Sequence, residues 1–130
     1  MEYQPIKPEV NKISGVVVDA AYQVHSTLGP GLLESVYQKC LLLELKDKNI
    51  TVETEVQIPI RYKHHTVDAN VRIDMLVENT VIVELKSVEQ LLPVHKAQLL
   101  TYLKLTNKRL GLLINFNVDL IKDGVKRVIL

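Results

Sequence analysis

The chain has 130 residues, 47% of them hydrophobic and 24% charged, with a net charge of +1 and a single cysteine, Cys40. That length suits one domain, spanning 1–130, which buries about two-thirds of its unfolded surface. The lone cysteine excludes an internal disulfide and an all-cysteine metal or iron–sulfur site within one chain.

No 18-residue uncharged apolar run is present, and the N-terminus lacks a basic-then-apolar leader pattern. The expectation is a cytoplasmic protein with no membrane partner. Charge is unevenly spread. Met1 to Leu85 carry 8 Lys+Arg and 12 Asp+Glu, a balance of −4, whereas Lys86 to Leu130 carry 8 and 3, a balance of +5. Such a basic half suits phosphate contacts or, equally, a solvated face.

Met1 to Lys7 reads as a loose N-terminal arm. From Pro8, apolar residues at Val10, Ile13, Val17, Ala20 or Ala21, Val24 and Leu28 follow a helical period, with the proline suited to a first turn. Gly29-Pro30-Gly31 ends that helix. A second helix is expected from about Leu32 to Lys48, with Leu33, Val36, Cys40, Leu41 and Leu45 inward. The period then changes to two: Thr51 to Ile58 is one strand, Pro59 interrupts it, and Ile60 to Lys63 is a second arm before His64-His65. Val67 to Val77 places Val71, Ile73, Met75 and Val77 on one face and Arg72 and Asp74 on the other. Glu78-Asn79-Thr80 is a turn, and Val81 to Ser87 is the fourth strand. Pro93 to Thr106 is a third helix with Val94, Ala97, Leu99 or Leu100 and Leu103 apolar. Leu110 to Asn115 and Val125 to Ile129 are strands joined through Asp123-Gly124. The resulting order is ααββββαββ.

The most apolar strand carries Glu84 and Lys86, which alternation puts on one face opposite Val81, Val83 and Leu85. Charges there require a partner or a metal. Two acids beside a lysine can hold a divalent cation and activate a water. For Asp74 to stand opposite Glu84, the intervening loop must have an odd count, with Val77 pairing with Val81. Asn79 tolerates the left-handed conformation that a three-residue loop commonly needs.

Asp74 followed by Glu84-x-Lys86 on a hairpin resembles the metal site of the PD-(D/E)XK nuclease superfamily. Gly31-Leu32-Leu33-Glu34-Ser35-Val36-Tyr37 further resembles the signature of its GxxExxY protein family, and Gln98 and Tyr102 resemble the Gln-x-x-x-Tyr element after the catalytic lysine. The likeness runs from about Val10 to Val128, including Leu112-Leu113-Ile114-Asn115-Phe116 and Gly124-x-x-Arg127. It departs at Ile73, where the family name has proline, and at His64-His65, where a glycine is expected.

The resemblance implies a restriction-endonuclease-like mixed β-sheet flanked by helices, an α/β fold, acting on DNA or RNA. It implies a metal-dependent phosphodiesterase using Mg²⁺ or Mn²⁺, held by Asp74, Glu84, the Leu85 backbone carbonyl and Glu34. Lys86 completes the catalytic set of Glu34, Asp74, Glu84 and Lys86. Gln98, Tyr102, His95, Tyr37 and Arg72 are the supporting or substrate-binding candidates. Two alternatives stand beside it: an inactive nuclease-fold module that binds nucleic acid or a protein, and a structural dimerisation domain forming a homodimer.

Overall fold

The computed structural model describes residues 4–130. Helices α1 (Pro8–Leu28) and α2 (Glu34–Asp47) precede strands β1 (Val52–Tyr62), β2 (His65–Val77) and β3 (Val81–Lys86). Helix α3 (Pro93–Thr106), strand β4 (Leu110–Asn115), a single 3₁₀ turn (Ile121–Asp123) and strand β5 (Val125–Ile129) follow. The strands form one sheet in the order β1-β2-β3-β4-β5. Only the β3–β4 pair is parallel, joined by α3 as a crossover, so the sheet is mixed and flanked by helices as expected. No helix among the described residues is long and apolar enough to cross a membrane.

Strand alternation divides the core in two. Val81, Val83 and Leu85 point with Leu110, Leu112 and Ile114 toward α1 and α2, where Val17, Ala20, Ala21, Val24, Tyr37, Leu41 and Leu45 meet them. Ile82 and Leu113 point the other way, onto Leu99 and Leu103 of α3. Gly111 brings α3 close: a Cβ there would stand 2.9 Å from the Leu99 side chain, which would have to shift to admit it.

Four expectations need correction. Pro59 does not split a strand, and the order is ααβββαββ. β1 is an edge strand, where a missing N–H costs nothing on the open side, and proline sits at a register shift between the Ile58–Val71 and Ile60–Val67 pairs. In α2 the inward stripe is Tyr37, Leu41 and Leu45 at i, i+4 and i+8, which leaves Val36 exposed off that stripe and Leu33 exposed ahead of the first turn at Glu34. In α3, Val94 is exposed and Leu99 and Leu103 provide the packing. Finally, Val71 and Ile73 lie in the cluster beneath α3, whereas Met75 and Val77 lie beneath α1 and α2. The alternation of β2 therefore slips by one residue at Asp74.

Of the N-terminal arm, residues 1–3 lie outside the described residues. The rest is not loose: Ile6 is buried in the main core, and the Arg109 guanidinium donates to the Gln4 carbonyl at 2.8 Å.

Candidate active site

The turn between β2 and β3 decides whether two acids meet. Val77 pairs with Val81 across Glu78-Asn79-Thr80, the odd loop that the register requires. Glu78 and Asn79 both take left-handed backbone, φ 51° and 54°, and the Thr80 N–H closes the turn on the Val77 carbonyl at 3.0 Å. Continuing that register puts Asp74 opposite Glu84.

At this point side chains replace the ladder. Regular pairing of β2 with β3 ends at Met75–Val83. Beyond it, the Asp74 N–H donates to Glu84 Oε1 at 3.1 Å, and the Leu85 N–H donates to Asp74 Oδ2 at 2.8 Å. Each acid is thus pinned by the other's strand. On the far side, β1 fails to pair with Asp74 as well: Glu55 takes φ 52°, between the Thr54–Met75 and Val56–Ile73 pairs. For a glutamate that conformation costs about 1–2 kcal/mol. It lets β1 and β2 change face together, since Val52 packs beneath α1 and α2 and Val56 beneath α3.

Glu84 is buried, and its pKa rises from 4.5 to about 8. Burial is the main cause and the neighbouring Asp74 charge the second, with Lys86 pulling weakly in the opposite direction. Lys86 is half-buried at the end of β3.

Glu34, at the first position of α2, is exposed. Its pKa is raised, chiefly by partial desolvation, with Lys86 opposing, Asp74 adding and His95 opposing, so it lies within electrostatic reach of all three. It does not complete a metal cage. Among the described residues no group of three His, Cys, Asp or Glu side chains is gathered to hold a metal ion. Asp74 and Glu84 form the compact pair, with Glu34 standing outside it.

Two contacts fix α2 against this strand end. The Tyr37 hydroxyl donates to the Gly29 carbonyl at 2.6 Å and accepts from the Leu32 N–H at 3.1 Å, while its ring stacks on Phe116 at 4.5 Å. Tyr37 is completely buried, so it shapes the loop in front of Glu34 and cannot touch a substrate. Ser87 Oγ donates to the Leu32 carbonyl, linking the end of β3 to the same loop.

On the other side, Tyr102 of α3 is half-buried, and its pKa is raised by burial first and then by the charges of Glu84 and Asp74. Gln98, exposed one helical turn before it, lowers that pKa in turn, so the two side chains share one face of α3. The His95 imidazole accepts the Leu92 N–H on Nδ1 at 3.0 Å, capping α3. That leaves its other nitrogen as the N–H donor. Arg72 is exposed two residues before Asp74, and no hydrogen bond ties it to the site.

Three contributors lie outside the candidate site residues, although Asn115 and Gly124 fall in segments of the likeness. Gln38, one helical turn beyond Glu34, donates to Glu55 Oε1 at 3.1 Å and to the Asp74 carbonyl at 3.4 Å. The i, i+4 relation to Glu34 is the signal that points to it. Buried Asn115 accepts from the Val88 and Asn117 N–H groups and donates to the Val88 carbonyl, holding the segment after Lys86. Gly124 lies against it, leaving no room for a Cβ, which would come 2.0 Å from the Asn115 carbonyl.

A buried glutamate and a half-buried aspartate pinned to each other's strands, with Lys86 two residues on, are chemically an incomplete cation site. Compared with known proteins, the chain found no match among curated proteins or solved structures. Against protein families, residues 11–128 match the family model of the PD-(D/E)XK nuclease superfamily. That span starts in α1, ends in β5 and contains all of the acids, the lysine and the Gln98–Tyr102 pair. A match of this extent, over a mixed sheet that pins Asp74 to Glu84 and leads on to Lys86, establishes that the chain belongs to the PD-(D/E)XK nuclease superfamily.

Proposed function

We propose that the protein is a metal-dependent nuclease that hydrolyses phosphodiester bonds, of the GxxExxY branch. The reciprocal pinning of Asp74 and Glu84 at the end of β3, beside Lys86, carries this reading. The donor set fits a hard divalent cation, Mg²⁺ or Mn²⁺, which takes one or two carboxylates and keeps several waters. Asp74 and Glu84 would hold it, with the Leu85 carbonyl as a further ligand. When bound, such a cation polarises a phosphoryl oxygen and acidifies a water.

The other roles fall to the chain's own groups. Lys86 orients the attacking water or balances charge on the phosphorane-like transition state. Glu34 and His95 flank it from α2 and α3, where they can accept or relay a proton. The Gln98–Tyr102 pair offers neutral hydrogen bonds to a phosphate.

The test is cleavage of single- and double-stranded DNA and RNA with Mg²⁺ or Mn²⁺. Lys86→Ala should lower turnover by at least about 100-fold while the fold is retained by circular dichroism. Equal rates in wild type and Lys86→Ala, or undiminished cleavage in excess EDTA, would sink the mechanism. Salt-sensitive binding without turnover under any metal would instead identify a binding module.

A further inference from the structure

β1 and β2 run well past the point where the rest of the sheet stops. β3 ends at Lys86, and because β2 is antiparallel to it, the residues of β2 before Asp74 extend beyond the site end of the sheet. From Asp74 to His65 is nine residues, about 30 Å at ~3.3 Å per residue. Ile58 and Val71 are the last hairpin residues that join a core cluster. Beyond them only the β1–β2 ladder holds the arm together, and every residue from 61 to 70 is exposed. A two-stranded ribbon without a core is marginal in water, so its geometry serves contact and not stability.

The tip is chemically specific. Tyr62 pairs with His65 across a two-residue turn, and Arg61, Tyr62, Lys63, His64 and His65 are consecutive. The Lys63 ammonium lies 5.6 Å from the centre of the Tyr62 ring, and that ring is 63% exposed. Asp68 is the only acid between Ile58 and Arg72, against the three cations Arg61, Lys63 and Arg72. Lys63 sits at φ 56°, where the sequence lacks the glycine such a turn favours.

We infer that this hairpin is a substrate arm: Arg61 and Lys63 hold backbone phosphates of a nucleic acid about nine base pairs from the bond placed at Asp74 and Glu84. The distance follows from the ~30 Å reach and a rise of ~3.4 Å per base pair. Charge complementarity selects a phosphate backbone as the occupant, and the aromatic ring between the cations adds a stacking surface. The inference rests on the nuclease reading and adds to it a position, a reach and a preference for long substrates.

The experiment compares binding of 8- and 30-base-pair duplexes, and matching single strands, between 50 and 200 mM salt. It uses a Lys86→Ala background to stop turnover. In Arg61→Gln/Lys63→Asn, where asparagine accepts the left-handed backbone, the affinity gained on lengthening the substrate should shrink. The slope of log K against log salt on the long duplex should become shallower by about 2, one for each lost phosphate contact. An unchanged length dependence and slope, with the parent still binding and the wild type still cleaving, would overturn the arm and leave the nuclease reading standing. Absence of binding and cleavage in the wild type overturns both. A concentration-dependent dimer abolished by Tyr62→Asp would assign the hairpin to a second copy of the chain and overturn the inference.

Discussion

Glu84 is 5% exposed, and burial first and the neighbouring Asp74 charge second raise the proton affinity of its carboxyl. Unfolded, it titrates near 4.5; folded and metal-free, near 8. Between these values the folded chain holds a proton that the unfolded chain has released, so stability falls as pH rises across that window. In EDTA, melting temperature should therefore drop from pH 5 to pH 8. Mg²⁺ at pH 8 should recover it by taking the proton's place. Glu84→Gln keeps an acceptor for the Asp74 N–H while removing the titration, so its metal-free melting curve should be flatter with pH. Its cleavage should nevertheless fall by more than about 100-fold. A wild-type melting temperature that rises toward pH 8 in EDTA would contradict the raised proton affinity of Glu84. The pairing of these acids was legible in the sequence, because an odd turn fixes which face each side chain takes. Glu55 was not legible, because glutamate gives no signal of a left-handed backbone and the face change at Asp74 depends on it.

At the scale of elements, Tyr37 connects the loop before α2 to the core. Its hydroxyl satisfies one carbonyl and one N–H outside regular structure, those of Gly29 and Leu32, three residues apart. Tyr37→Phe should cost about 1–3 kcal/mol in denaturant unfolding, since two backbone groups lose their partner while the stacked ring remains. Turnover should fall with it, because Glu34 starts the helix that this loop sets. Equal stability of Tyr37→Phe and wild type would show that water replaces the hydroxyl freely. The elements themselves were largely readable from periodicity, α1, β4 and β5 to the residue. Pro59 suggests a break because a proline excludes a central strand, and the sequence does not say which strand lies at the edge. Leu33 and Val36 were read inward because their spacing fits Cys40, yet the fully buried tyrosine sets the stripe. Both errors concern partners, which local pattern does not encode.

Across the whole molecule, the basic surplus of the C-terminal half divides by position along the sheet. Leu110 pairs with Val81 and Asn115 with Lys86, so the start of β4 lies about 17 Å from the site end, at ~3.3 Å per residue. Arg109 stands at that far end, where its guanidinium donates to the Leu130 and Gln4 carbonyls, each at 2.8 Å. Arg127 likewise hydrogen-bonds the Asn11 side chain on α1. These two cations join the ends of the chain, whereas Lys86 and the arginine and lysine of the hairpin lie on the side where a polyanion would approach. Arg109→Gln should accordingly lower stability by about 1 kcal/mol, a fall of about 3–5 °C in melting temperature. The salt dependence of nucleic-acid binding should stay as in the wild type, because no phosphate contact is lost. Thermal melting and a salt titration on the same preparation separate the two effects. A slope shallower by about 1, with melting unaltered, would move Arg109 from the frame of the fold to the substrate surface, and the far end of the sheet would then belong to the binding face.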